Sequence, residues 1–437
     1  MTIKITNSVP SLKYPLLALS FFSSFNLLAQ THVIHAGTLL TIAGEKALSK
    51  QTLVITDGKI TKIEKGFISK NDIAKDAQLI DLSSSFVMAG LMDMHVHLQG
   101  ELGPKNDSQA LRMSDADVLM QSVFNANKTL MAGFTTVRDL GASAEQIFAL
   151  RDGINKGWIQ GPRIFAAGSA VSVTGGHGDV DGYSPDILEM RTKETICDGP
   201  YDCRRATRQA IKYGADVIKI TSTGGVLSDT NTGTGQQMAD DELKEVVDAA
   251  HALGRKVASH AHAAEGINAA LRAGVDSIEH GSYANKESIK LFKKSGAYLV
   301  PTLLAGDTVV NLAKHTDFMS EAIKAKAIRV GADMTANFKN AYRGGVKIAY
   351  GTDSGVSPHG TNGKEAVLMA KAGMKNSEIL KSATIHAADL INMSSSLGTL
   401  EVGKIADIIA FDGNPLHNIE ELLDVDFVMK SGNIVKD

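Results

Sequence analysis

The sequence predicts an α/β protein: a (β/α)8 TIM barrel joined to a small, discontinuous β-sandwich built from both ends of the chain. Two observations lead there. Between residues 86 and 397, short apolar strands alternate with helical stretches through eight repeats, the pattern of a closed parallel barrel. On either side, residues 30–85 and 398–437 change to alternating strands rich in Val, Ile and Thr, punctuated by DG and SGN turns. An open doubly wound sheet is the competing architecture, but no GxGxxG opens the first unit.

The elements follow in chain order. Lys4 and Lys13 precede YPLLALSFFSSFNLLAQ, an apolar stretch ending in small residues. This is the layout of a secretory signal over residues 1–29, cleaved after Ala29. The stretch is short for a membrane span and polar sequence follows at once, so no stable insertion is expected after cleavage. The mature chain is expected to start near Gln30 and to be periplasmic or secreted. Next come the sandwich strands VIHAGTLLTIAG, QTLVITDGKITKIEKG and AQLIDLSSSFVMAG. GLMDMHVHL opens the barrel, and FTTVRDL, RIFAAGSAV, DVIKIT, KVASHAH, SIEHG, YLVPTL and KIAYGTDS supply the other seven strands. Helical periodicity fills residues 240–254, 284–296 and 376–392, each opening with Asp or Asn near its start. GTLEVGKIADIIAFDGNP and DFVMKSGNIVKD return to the sandwich pattern.

Composition narrows the function classes. The formal charge of the 437-residue chain is only −3, so nothing favours nucleic acid as a partner. The two cysteines, Cys197 and Cys203, flank Asp-Gly-Pro in ICDGPYDCRR. A turn there lets the sulfurs approach, and outside the cytoplasm a disulfide is the expected state. Zinc binding by this pair alone fits poorly, because no second cysteine pair exists.

The chemistry gathers at strand ends. His95 and His97 lie two apart on the first barrel strand, so both imidazoles point to one face. Lys219 sits in the fourth strand; His260, His280 and Asp353 end the fifth, sixth and eighth. Active sites of such barrels form at that end. One buried histidine is usually a satisfied core residue, but four with a carboxylate make a ligand set for zinc or a similar divalent ion. An ammonium at Lys219 would repel metal or else pair with an acid such as Glu279, whereas burial favours the neutral amine. A neutral amine can take up carbon dioxide and become a carbamate, an oxygen ligand able to bridge two ions. His95, His97 and Asp353 would then hold one ion, and His260 and His280 the other.

GLMDMHVHL, VIKI, HAH, SIEHG and GTDSG resemble, in order, the strand-end motifs of the amidohydrolase superfamily, in its imidazolonepropionase-like branch. TSTGGVLSDTNTGTGQQM and SHAHAAEGINAALRAGVDSIEHGSYAN are similar to the Xaa-Pro dipeptidases and the dipeptidases releasing C-terminal Lys or Arg. The resemblance implies two divalent ions, usually zinc, with a carboxylated Lys219. It also implies hydrolysis of a dipeptide or N-acyl amino acid by a hydroxide shared between the ions, with Asp353 moving the proton.

His177, His262 and His359 are the expected substrate-binding residues, because each lies on a strand face or loop beyond a ligand. Arg138 and Asp139 read as a structural ion pair near the barrel mouth. A small-molecule or dipeptide substrate is the expected partner, and the sequence is compatible with a homo-oligomer. Cyclic-amide hydrolysis or deamination is the alternative chemistry, against which Lys219 argues. A secreted binding protein without catalysis is the alternative class, against which the complete ligand set argues.

Overall fold

The computed structural model describes residues 31–228 and 233–437. The expected leader, residues 1–29, lies outside the described residues. No helix among the described residues is long and apolar enough to cross a membrane.

The small domain begins with β1 (Thr31–Leu40), β2 (Leu48–Thr56), β3 (Lys59–Lys65) and β4 (Gln78–Ala89). The β2–β3 turn is Asp57-Gly58, with φ of 51° and 74°. Those are the left-handed values a two-residue hairpin turn needs, which is why the sequence reads DG there. The barrel strands follow: β5 (Leu91–Val96), β6 (Phe134–Asp139), β7 (Arg163–Ala166), β8 (Val217–Thr221), β9 (Lys256–Ala261), β10 (Ser277–His280), β11 (Tyr298–Val300) and β12 (Lys347–Ile348). The chain then returns to the small domain as β13 (Ile408–Phe411), β14 (Phe427–Lys430) and β15 (Asn433–Lys436).

Both ends of the chain share one seven-stranded sheet, ordered β15-β14-β13-β4-β1-β2-β3. The sheet curls until Lys59 pairs with Ile405. Inside the curl, Ile34, Leu53, Ile55, Val87, Ile408 and Phe427 form one buried apolar cluster. Arg163 at the base of β7 ties this domain to the barrel, donating to Asp407 Oδ2 at 2.7 Å and Ser431 Oγ at 3.0 Å.

Parallel ladders join β5-β6-β7 and β8 through β12. A few hydrogen bonds close the two seams: Asp216 N donates to Ala166 O at 2.9 Å and Val171 N to Lys219 O at 2.8 Å on one side, and Met94 N to Tyr350 O at 2.8 Å and His97 N to Ser354 O at 2.7 Å on the other. The expected eighth strand is longer than β12 because its later residues bond elsewhere. Tyr350 N donates to Ser382 O, and Asp353 N to His95 O at 2.7 Å. The same contact reshapes the helix expected over 376–392. It runs as α-helix over Asn376–Lys381, one π turn over Ser382–His386, and α-helix again over Ala387–Leu390. The widened turn frees the Ser382 carbonyl for Tyr350 and presents His386 Nδ1 to Ile348 O at 2.8 Å.

Candidate metal centre

His95 and His97 project from the C-terminal end of β5 into the barrel mouth. His97 Nδ1 lies 2.8 Å from Gly141 O. A carbonyl can only accept, so Nδ1 carries the hydrogen and Nε2 presents a lone pair. That lone pair faces Asp353 Oδ1 at 3.0 Å. Asp353 Oδ1 is buried and has no hydrogen-bond donor. Two acceptors at this separation need a cation between them, either a proton or a metal. His95 repeats the pattern: its Nδ1 is 3.0 Å from Glu279 Oε2, and its Nε2 is 3.5 Å from the same Asp353 oxygen. Lys219 Nζ approaches His95 Nε2 at 3.4 Å.

The second half of the site comes from β9, β10 and the turn after β9. The rings of His260 and His280 are 4.6 Å apart, and that of His262 is 4.7 Å from His260. His280 and His95, 5.2 Å apart, join the two halves. His262 Nδ1 meets Ser282 Oγ and His280 Nδ1 meets Thr302 Oγ1, each at 2.7 Å. Fixing the outer nitrogen this way aims the inner one at a metal. One potential ligand atom each from His95, His97 and Asp353 lie within 4.8 Å of one another, as do those from His260, His262 and His280.

Electrostatics favour cation binding. Burial, reinforced by neighbouring cationic groups, pushes His95, His260 and His280 well below the ordinary histidine range. His177 is pushed down to about 3 and His262 to about 4, again mainly by burial. Burial also lowers Lys219 to about 8, against the pull of Glu279 and Asp353. His97 is the exception: burial opposes its charged form, but the adjacent Asp353 outweighs it and raises the pKa. Apart from His97, the cluster is a set of neutral imidazoles round one orphaned carboxylate oxygen. Those donors fit divalent ions.

The backbone is strained at the same place. His280, Thr302 and Asp353 have φ of 69°, 49° and 56°, a region that costs non-glycine residues roughly 1–3 kcal/mol each. Asp93 holds the Asp353 turn, accepting from Thr352 N at 3.1 Å and Thr352 Oγ1 at 2.6 Å.

The expected Arg138–Asp139 pair does not form. Adjacent strand residues point to opposite faces, and Arg138 reaches Glu279 Oε1 at 2.9 Å instead. Glu279 thus joins Arg138 to His95. Asp139 accepts from Leu98 N and Gly141 N, fixing the loop whose carbonyl orients His97. Asp93 has no role in the sequence reading and Glu279 only that of an alternative partner for Lys219, although each is an acid inside an apolar strand near a candidate ligand histidine.

The centre opens into a cavity of about 540 Å³, lined by His95, His97, His177, Lys219, His260, His280 and Asp353, with Arg191 and Lys193 towards its mouth. His177 packs flat on Gly225, where an added Cβ would lie 2.1 Å from the ring. A side chain at 225 would drive His177 out of the site.

A model of the amidohydrolase family matches residues 86–435. The chain belongs to the amidohydrolase family. It is similar to a solved Xaa-Pro dipeptidase with methionine bound in its active site, at 42% identity and a TM-score of 0.89. That match covers 93% of this chain and 100% of the other. A prolidase complexed with N-methylphosphonate-L-proline matches at 32% identity and a TM-score of 0.84, with the same coverage. Ochratoxinase of Aspergillus niger is 32% identical over 430 residues, 93% of this chain and 87% of the relative.

Within this amidohydrolase the remaining sequence-predicted residues divide. His177 lines the main cavity and His262 a smaller side cavity. His359 lines neither. Its ring is buried, with Nε2 3.1 Å from Gly100 O, and its backbone N donates to Glu101 Oε1. The expectation that His359 binds substrate therefore has no geometric support. Lys128, not a ligand, pairs with the same Glu101 oxygen at 2.7 Å. Cys197 and Cys203 are joined, their Cα atoms 5.0 Å apart. Cys197 N donates to Ser172 O, so the linked segment lies against the loop that carries His177.

Proposed function

We propose that this amidohydrolase cleaves the amide bond of a dipeptide or N-acyl amino acid at a centre of two divalent ions, zinc being the best match. His95, His97 and Asp353 would hold one ion and His260 and His280 the other, with a carboxylated Lys219 shared between them. The observation that carries this reading is Asp353 Oδ1, buried without a donor 3.0 Å from the His97 lone pair. The ions would supply Lewis acidity, making water acidic enough to ionise near neutral pH and polarising the scissile carbonyl.

The chain's own groups do the rest. The neutral Lys219 amine adds to carbon dioxide: an N–C bond forms, a proton leaves, and the carbamate anion replaces an ammonium that would repel the ions. Asp353 takes a proton at its carboxylate from the attacking water and returns it to the leaving nitrogen. His177, which lines both cavities, and His262, which lines the side cavity, would hydrogen-bond the acyl half of the substrate and its amide. Arg191 and Lys193 line the same cavity and would attract the free carboxylate of the leaving residue. Their charge disfavours a leaving Lys or Arg and favours the Xaa-Pro form. The names of the similar dipeptidase and prolidase structures agree with that choice.

The test is metal analysis of the purified protein together with a dipeptide library assayed with zinc. Close to two ions per chain and turnover of an Xaa-Pro dipeptide are expected. Full metal occupancy with no amide hydrolysed would overturn the reading. We also assign residues 1–29 to an export leader. Mass spectrometry of protein from the native envelope should find an N-terminus near Gln30, and an intact Met1 would refute export.

A further inference from the structure

Beside the main cavity lies a second one of about 60 Å³, and His177, His280 and Asp353 line both. Apart from these three and His262, its walls are apolar. Val309 comes from the helix Leu303–His315, Val330 and Met334 from the helix Glu321–Arg343, and Val226, Leu227 and Val356 from loops after β8 and β12. The two helices approach closely because residue 331 is glycine. An added Cβ there would lie 2.2 Å from Val310 Cγ2 and 3.3 Å from Gly306 O. Among the described lining residues, the only ionisable groups are His177, His262, His280 and Asp353.

We infer that this side cavity seats the side chain of the acyl residue and selects a neutral aliphatic or thioether group. The inference rests on the proposed amide hydrolysis and names the half of the substrate that reading leaves open. An amide held over Asp353 has two halves. The half bearing a free carboxylate is drawn towards Arg191 and Lys193, which line the main cavity and not the side one. The acyl half is then left facing the apolar wall. Burying an ammonium, guanidinium or carboxylate there without a partner is costly. Lys326, one turn before Val330, strengthens the bias against cations; its Nζ donates to Ser228 O at 2.5 Å and to Gly225 O at 3.3 Å. An aliphatic chain loses only its water.

The experiment compares Gly-Pro, Ala-Pro, Leu-Pro, Met-Pro, Phe-Pro, Lys-Pro and Asp-Pro on the full, zinc-loaded protein, with Val330→Phe and Met334→Ala as variants. Wild type should turn over Leu-Pro and Met-Pro at least about tenfold better in kcat/KM than Gly-Pro, with Lys-Pro and Asp-Pro below Gly-Pro. Val330→Phe fills the cavity, so it should lower Leu-Pro and Met-Pro by about tenfold or more and leave Gly-Pro within about twofold. Met334→Ala, which enlarges the cavity, should move the preference towards Phe-Pro. A flat or Lys-preferring series, or variants that depress all substrates equally, would overturn the inference. Calorimetric binding of free leucine, methionine, glycine and lysine separates the two readings. Preference for leucine and methionine that is lost in Val330→Phe, without hydrolysis of any dipeptide, would sustain the cavity and overturn the proposed reaction. No such preference and no hydrolysis would overturn both.

Discussion

Thr302 Oγ1 and His280 Nδ1 meet at 2.7 Å, and both residues carry left-handed backbones, with φ of 49° and 69°. Two strained residues hold each other at adjacent strand ends, and the hydroxyl sets which nitrogen of His280 faces the centre. Thr302→Val keeps the shape and removes the partner. Zinc affinity in that variant should fall about 10–100-fold, as for other supports of a ligand histidine. Thr302→Ser should restore it. Chelator competition measures both.

Lys219→Ala should lose bound metal and activity together, with partial rescue by short carboxylic acids that replace the carbamate. Wild-type turnover with two ions would refute the bridging role. Because burial brings Lys219 down to about 8, its neutral form becomes abundant as pH rises through that value. In metal-free protein supplied with ¹³C-bicarbonate, a carbamate resonance should grow between about pH 7 and 9 and be absent from Lys219→Ala.

Asp353→Asn separates metal binding from proton transfer. It keeps a carbonyl oxygen and removes the base, so dipeptide turnover should fall by about 10²–10⁴ or more. An ester with a good leaving group needs little protonation and should suffer less. Equal losses at full metal occupancy would mean that Asp353 is not the proton carrier.

Metal uptake should release a proton near neutrality. Asp353 raises the pKa of His97, so the metal-free ring stays protonated to higher pH than an ordinary histidine. A cation at Nε2 must displace that proton. Release per zinc should therefore shrink as pH rises through the His97 pKa and should be smaller in His97→Ala than in wild type, the remainder coming from Lys219. Zinc titrations in buffers of different ionisation enthalpy read it directly.

Arg138 and Glu279 are both fully buried, their ion pair 2.9 Å long. Arg138→Met removes the ion-pair partner of the buried Glu279 and leaves it only His95 and Ser277, at a cost of about 3–5 kcal/mol in stability. Chemical denaturation of the metal-free variant against wild type measures this. A cost below about 1 kcal/mol would mean that His95 and Ser277 satisfy Glu279 without the arginine.

The barrel was legible because its period is written in the chain: each apolar strand precedes an amphipathic helix, and the titratable residues cluster at strand ends. His95, His97, Lys219, His260, His280 and Asp353 lie together as that register implied. His359 was misread because proximity in sequence to Asp353 does not fix direction; the chain turns its ring back onto Gly100. The partners of Glu279 were hidden because its task spans strands, linking β5, β6 and β10 through His95 and Arg138. Periodicity within one strand carries no record of such cross-barrel pairs. The π turn at Ser382–His386 was hidden for a related reason. It answers the hydrogen-bond needs of Tyr350 rather than any local preference.

The pairing of β4 with β13 joins Phe86 to Phe411, residues near opposite ends of the chain. While the polypeptide is emerging, residues 86–89 of β4 must wait for almost all of the remaining sequence before their partner exists. Closing so long a loop makes this ladder a late step in folding. Until then one side of β4 is an open strand edge, a template for a second growing chain. Any factor that shields nascent chains should act on this protein chiefly through that edge. Truncation before Ile408 should yield aggregates that begin there, detectable as protection of residues 86–89 from hydrogen exchange in the aggregated material.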